Sequence, residues 1–191
     1  MSKLAIRQAL ETLHTIPDSD WEVMEVLFHK KNYAKSEHIL TVGEIENYLY
    51  FIERGILRSY VNRKDSEVTL EFSFQETLFS SYDSFLLRAP SLINVQAITA
   101  ASLWRINYDD LQKIYSQTQS GNLIGRMAAE MLSIEKSNRE LDLLTKPAEQ
   151  RYLELFENQP QLVQQIPLKY IASYIGITPQ ALSRIRRRII S

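Results

Sequence analysis

Cysteine is absent from all 191 residues, which excludes disulfides, an iron–sulfur cluster and thiol redox chemistry. Histidine is scarce as well: His14, His29 and His38 stand apart with no paired ligand spacing, so each reads as a surface or partly packed residue and no metal centre is expected. The 5 glycines form neither a Walker loop nor a dinucleotide fingerprint, and no nucleophile elbow is present. Glu44, Glu46 and Glu53 read as solvated turn charges rather than a catalytic pair. The chain is therefore not expected to be an enzyme, and no cofactor is implied. No apolar run approaches membrane-spanning length and the N-terminus lacks the apolar core of a signal peptide, so the expectation is a soluble, cytoplasmic protein with no membrane partner.

Net charge is also nearly absent, at -1, but this balance hides an asymmetry. Residues 146–191 carry 7 Lys/Arg against 3 Asp/Glu, a surplus of +4, whereas residues 1–145 carry 15 against 20, a deficit of -5. A basic C-terminal end on an acidic body suits a chain that touches nucleic acid at one end only.

The basic end contains the most informative stretch, Ile166 to Ser191. Leu168, Ile171, Ala172 and Ile175 fall at i, i+3, i+4 and i+7, one apolar face of a short helix. Gly176 supplies a turn, Thr178 an N-cap hydroxyl, and Pro179 a first helical residue whose missing N–H costs nothing. In the second helix Leu182, Ile185 and Ile189 are expected inward, which turns Gln180, Ser183, Arg184, Arg187 and Arg188 outward. This is a helix-turn-helix pattern whose recognition helix spans 178–189, with base-edge chemistry at its front and phosphate chemistry at its rear. The chain as given stops at Ser191, directly after that helix, so the module is expected to be winged-helix-like with its wing truncated.

Upstream the periodicity changes twice. Residues 3–16 and 19–31 read as helices, the second opening on the capping pair Asp18-Ser19 and striping Trp21, Met24, Leu27 and Phe28. Short strands are predicted at His38 to Val42, Tyr48 to Ile52, Ile56 to Asn62, Glu67 to Phe74, Ile93 to Thr99 and Leu103 to Ile106. They are broken at Gly43, Gly55 and Arg63-Lys64-Asp65-Ser66, and Val68, Leu70, Phe72 and Phe74 are expected on one buried face. A double-sheet β-roll follows. From about Ser120 to Leu144 one long helix places Ile124, Met127, Met131, Ile134, Asn138 and Leu141 at heptad steps of 3 and 4. A single asparagine in such a seam fixes register and strand number in a coiled-coil dimer, which is the reading put ahead of an amphipathic helix lying on its own roll, whose stripe would be similar. After Pro147 a further helix carries Ala148, Tyr152, Leu155 and Phe156 inward and closes at Asn158-Gln159-Pro160.

This order of elements resembles the cyclic-AMP receptor protein and fumarate-nitrate regulator (Crp/Fnr) family of bacterial transcription factors. The residues that carry the likeness are HILTVGEIENYLYFIERGILRSY, with turn glycines Gly43 and Gly55, then the seam helix, then IASYIGITPQALSRIRR. The resemblance implies an α+β chain: an N-terminal double-stranded β-helix (jelly roll) of the cyclic-nucleotide-binding kind in 1–119, a dimerisation helix in 120–145 and a helix-turn-helix in 146–191. It also implies a homodimer on double-stranded DNA, with RNA polymerase as a further partner and a small-molecule effector in the roll. By the same likeness Thr178 contacts phosphate, and Pro179, Gln180, Ser183 and Arg184 face base edges; Lys169, Arg187 and Arg188 are assigned to phosphates from charge alone.

One departure matters. Family members that bind cyclic AMP carry a Phe-Gly-Glu-Leu segment followed by Pro-Arg-Ser/Thr-Ala. The matching stretches here are Phe79, Ser80, Ser81, Tyr82 and Pro90, Ser91, Leu92, Ile93, Asn94, with glycine, glutamate and arginine all missing. A buried phosphate without its cation loses most of its affinity, so cyclic AMP is not expected to bind in the family's manner. Ser80, Ser81, Tyr82, Arg88, Ser91 and Leu92 remain as effector-pocket candidates, Arg88 as the substitute cation. The rival reading is a small-molecule or protein-binding β-roll module with a vestigial helix-turn-helix.

Overall fold

A computed structural model describes residues 3–64, 66–158 and 160–190. Among the described residues, eight strands form two four-stranded antiparallel sheets, as the sequence pattern predicts for a roll. They are β1 (His29–Tyr33), β2 (His38–Leu40), β3 (Tyr48–Arg54), β4 (Leu57–Arg63), β5 (Ser66–Ser73), β6 (Leu78–Phe79), β7 (Asn94–Ala97) and β8 (Ala101–Asn107). One sheet has the order β1-β8-β3-β6, the other β2-β7-β4-β5. Between them pack Tyr33, Leu40, Tyr50, Ile52, Leu57, Phe79, Val95 and Leu103. Gly55 makes the β3–β4 turn possible: its φ is 106°, and a Cβ there would lie 2.7 Å from Cβ of Ala101.

The outer face of the first sheet is covered by helices. α1 (Leu4–Glu11), α2 (Asp18–Glu25), α3 (Tyr82–Leu87) and α4 (Tyr108–Gln117) join the start of α5 (Gly121–Thr145). Ile6, Trp21, Met24, Phe28, Phe51, Phe85, Ile106, Leu111, Ile114 and Ile124 make this second core. A buried carboxylate ties its ends together: Asp20 accepts from the N–H of Ser120 at 2.8 Å and from its hydroxyl at 2.7 Å. Those bonds hold the Asp20 carboxyl below the usual carboxylate range.

Several boundaries differ from the sequence reading. The second helix ends at Glu25, and His29–Lys31 belong to strand β1. β1 pairs with β8 alone and buries only Tyr33, so it has no alternation to betray it. Helix α2 is capped by Pro17 with no side-chain bond, not by the Asp18-Ser19 pair. In β5 the buried residues are Thr69, Phe72 and Ser73, while Leu70 is exposed. Glu46 and Glu53, read as solvated, are 1% and 6% exposed. Glu53 is held inside by an ion pair with Lys30 and a hydrogen bond from Trp104 Nε1 at 3.2 Å.

The remaining helices are α6 (Ala148–Asn158), α7 (Pro160–Gln165), α8 (Leu168–Tyr174) and α9 (Pro179–Ile190). Pro160 opens α7, where the sequence suggested only a stop, in keeping with proline's fit to a first helical position; Gln159, Asp65 and Ser191 lie outside the described residues. Phe156, expected inward, is exposed, whereas Tyr152 is buried. By internal packing the chain divides into two compact units, Met1–Ser59 with Phe72–Leu132, and Tyr60–Glu71 with Ser133–Ser191. No helix among the described residues is long and apolar enough to cross a membrane.

Candidate nucleic-acid interface and effector pocket

Helices α8 and α9 form the pair read from the sequence. Ile171, Ala172, Ile175 and Leu182 are fully or almost fully buried and set the crossing. Gly176 turns the chain at φ 78°, and the N–H of Ile177 returns to the carbonyl of Ala172 at 2.9 Å. This closing bond satisfies a carbonyl that the end of α8 would otherwise leave open. Thr178 then caps α9, its hydroxyl accepting from the N–H of Ala181 at 3.2 Å.

One residue of each helix's apolar stripe behaves otherwise. Leu168 and Ile189, expected inward, are 38% and 39% exposed, since each lies at the outer end of its helix beyond the crossing. The polar face is as read: Lys169, Thr178, Pro179, Gln180, Ser183, Arg184, Arg187 and Arg188 are all exposed. Within it the groups are unequal. Arg188 forms an ion pair with Glu149 of α6, and the Lys169 ammonium lies 4.8 Å from the Tyr170 ring. Arg187 and Arg188 stand in the last turn of α9, where a cation also complements the helix dipole.

Two arginines that the sequence reading passed over position this pair. Arg151 on α6 donates twice to the carbonyl of Ile175, at 3.1 and 2.7 Å, and reaches the carbonyls of Asp142, Leu143 and Lys146 at the end of α5. It staples two helix C-termini, each rich in unmet carbonyls. Arg139 on α5 donates to the carbonyl of Tyr174 and stacks 3.7 Å from that ring's centre. Burial lowers the Arg139 pKa and raises that of Tyr174. The β4–β5 hairpin joins in through Ser173, whose hydroxyl accepts from the N–H of Thr69 at 2.8 Å and donates to the carbonyl of Glu67 at 2.8 Å. None of these three residues had a sequence signal beyond its place near a helix end.

On α5, Met131, Ile134, Asn138 and Leu141 form an exposed stripe, with Met127 half-buried. Ile124, expected on the same stripe, is 6% exposed and packs in the helical core with Leu111 and Ile114 of α4.

The roll candidates are only partly brought together. The Ser81 and Ser91 hydroxyls meet at 3.0 Å, and the Ser80 hydroxyl donates to the carbonyl of Tyr48 at 3.0 Å. Tyr82 packs against the helical core, and Leu92 is 83% exposed. Arg88 sits in a left-handed conformation at the end of α3 and donates to the carbonyl of Glu46 at 2.7 Å and to Oδ1 of Asn47 at 2.5 Å. Its guanidinium is thus committed to the chain itself. Beside this segment lies a polar network unforeseen from sequence. Glu46 Oε1 accepts from the N–H of Tyr48 at 3.0 Å and from the Tyr50 hydroxyl at 3.1 Å. Burial raises the pKa of Glu46 and of Tyr33 and pushes that of Tyr50 well up; Tyr33 is hydrogen-bonded to Tyr50 and to Arg105. Arg105 in turn lies 4.1 Å from the Tyr48 ring centre.

Residues 30–118 match the family model of the cyclic nucleotide-binding domain. No curated protein sequence matches the chain. Among solved structures, the c-di-GMP-responsive global regulator CLP of Xanthomonas campestris is similar at a TM-score of 0.71 and 13% identity, over 91% of this chain and 91% of that one. FixK2 of Bradyrhizobium japonicum is similar at a TM-score of 0.70 and 21% identity, over 85% of this chain and 84% of that one. A transcriptional regulator of the Crp/Fnr family from Eubacterium rectale is similar at 0.71 and 14%, over 91% and 83%. The fold over most of the chain is that of Crp/Fnr-type transcription regulators.

Proposed function

We propose that this protein is a homodimeric, sequence-specific DNA-binding transcription regulator rather than an enzyme. Its functional parts are the roll in 1–119, the dimer helix in 120–145 and the reader in 146–191. The observation that carries the reading is the exposed face of α9, where Gln180, Ser183 and Arg184 precede Arg187 and Arg188 on a helix anchored by Leu182. The first three have side chains suited to base edges, and the last two, with Lys169 and the Thr178 hydroxyl, suit phosphates. Two copies pair through Met127, Met131, Ile134, Asn138 and Leu141, which sets two recognition helices about 34 Å apart on a near-palindromic site. RNA polymerase is the further partner such a regulator addresses. The roll is a degenerate effector domain that does not take cyclic AMP in the manner of nucleotide-binding relatives.

Selection from a random duplex pool at two salt concentrations tests this. Enrichment of a palindromic motif, with affinity falling as salt rises, is the expected result. Absence of affinity at low salt, or binding without enrichment, would overturn it. A large thermal shift with metabolites and no DNA affinity would favour a roll that works as a binding module by itself.

A further inference from the structure

We propose that Glu46 is an internal anion of the roll: its carboxylate fills a cluster of hydrogen-bond donors that would otherwise take the phosphate of a ligand, and so it is the residue that keeps anionic effectors out. The cluster is defined by geometry. The N–H of Tyr48 and the hydroxyl of Tyr50 converge on Oε1 at 3.0 and 3.1 Å. Burial raises the Glu46 pKa, and the N–H groups of Ser81 and Asn47, which also face the carboxylate, act against that shift by favouring the charged form. The Ser81 hydroxyl pairs with that of Ser91 at 3.0 Å. Donors from the β2–β3 loop, from β3 and from the segment before α3 thus point at one place, and the acceptor they meet is the chain's own.

Glu46 is 1% exposed, and its second oxygen, Oε2, is buried with no hydrogen bond at bonding geometry. A carboxylate so placed would repel a phosphate brought beside it, because like charges within a few ångströms interact strongly where water is excluded. Arg88 does not relieve this, since it is bonded to the carbonyl of Glu46 and to Asn47, and Arg105 meets the network on its far side, at Tyr33. Removing the carboxylate reverses the situation. The donors then lack an acceptor, which is costly in the interior, and an incoming phosphate restores it.

This inference rests on the match of residues 30–118 to the cyclic nucleotide-binding domain and not on DNA binding, so its failure is distinguishable from that of the regulator reading. The test measures binding of inorganic phosphate and cyclic AMP to the full chain by calorimetry and thermal shift, for the native protein, Glu46→Ala and Glu46→Gln. Native protein is expected to bind neither, while Glu46→Ala gains phosphate affinity by roughly tenfold or more, the scale of one charge-assisted bond. Glu46→Gln, which keeps the volume and loses the charge, gains less and serves as the decisive variant if the alanine form does not fold. Native binding of either probe as tight as in the variants, or no gain in the folded variants, overturns the proposal. Carbon-13 NMR of the native glutamates at neutral pH adds a measurement that needs no variant: an ionised Glu46 supports the internal anion, and a protonated one overturns it.

Discussion

The roll and the C-terminal module use their polar groups in opposite ways. In the roll they face one another: Glu46, Tyr50 and Tyr33 form a buried chain that ends on the half-buried Arg105, the Ser81 and Ser91 hydroxyls pair, and Arg88 bonds to its own loop. In the C-terminal module the half-buried arginines, Arg139 and Arg151, hold the backbone of the turn, while Gln180, Ser183, Arg184, Arg187 and Arg188 face solvent. Inward satisfaction leaves little for a ligand to bind, whereas an outward array of donors on a fixed helix is a surface awaiting one. The contrast teaches that the α9 face leaves its polar groups open to a partner, whereas the roll turns the polar groups named here on one another.

The largest effects should separate the two regions by what is lost. Phe85→Ala removes a fully buried ring from the helical core and is expected to cost about 3–5 kcal/mol in a urea titration. Ile171→Ala, at the crossing of α8 and α9, is expected to cost about 2–5 kcal/mol and to abolish DNA binding while the roll's near-ultraviolet signal stays native. If Ile171→Ala instead melts the roll as well, the two regions are one cooperative unit and the comparison between them weakens.

A smaller effect lies at Asp20. Its folded pKa is lowered, so its contribution to stability is full above the unfolded value and fades as pH falls through the folded one. Stability measured from about pH 6 down to pH 2 should show this acid limb. Asp20→Asn should flatten it and cost about 1–3 kcal/mol at neutral pH, because Ser120 loses a charged acceptor.

The fold was legible where periodicity is strong. The helix-turn-helix could be read from Ile171, Ala172, Gly176 and Pro179 because each residue type there has a local reason to be present. Strand β1 escaped because four of its five residues are exposed and it has a single partner strand, so nothing alternates. β5 misled because Thr69 is buried by a tertiary bond to Ser173, and a contact 104 residues away leaves no local trace. The same holds for the sites. The α9 face was readable as an exposed helical surface, while Glu46 was not, since a glutamate in a turn is ordinarily solvated and only the assembled donors draw it inside. Arg139 and Arg151 were hidden for the related reason that their acceptors are backbone carbonyls, which every residue has.

The outward array is itself graded, and its weakest member gives the finest test of the comparison. Arg184 stands on the leading half of α9 and Arg188 at its end, paired with Glu149. Arg184→Ala should cost about 1–3 kcal/mol on the preferred sequence and relax selectivity at one position. Arg188→Ala should weaken binding evenly and lower the salt slope by about 1 per reading helix. On the proposed DNA-binding function, the Glu149 carboxylate would compete with a phosphate for Arg188, so part of any such contact would be offset by breaking that pair. Glu149→Gln should therefore tighten binding to all duplexes by about 0.2–1 kcal/mol at low salt, the range of exposed ion pairs, with the gain vanishing as salt rises. Fluorescence anisotropy on matched and scrambled duplexes distinguishes the outcomes: an equal gain on both supports a competitor for phosphate, and a gain on the matched duplex alone would place Arg188 among the base readers.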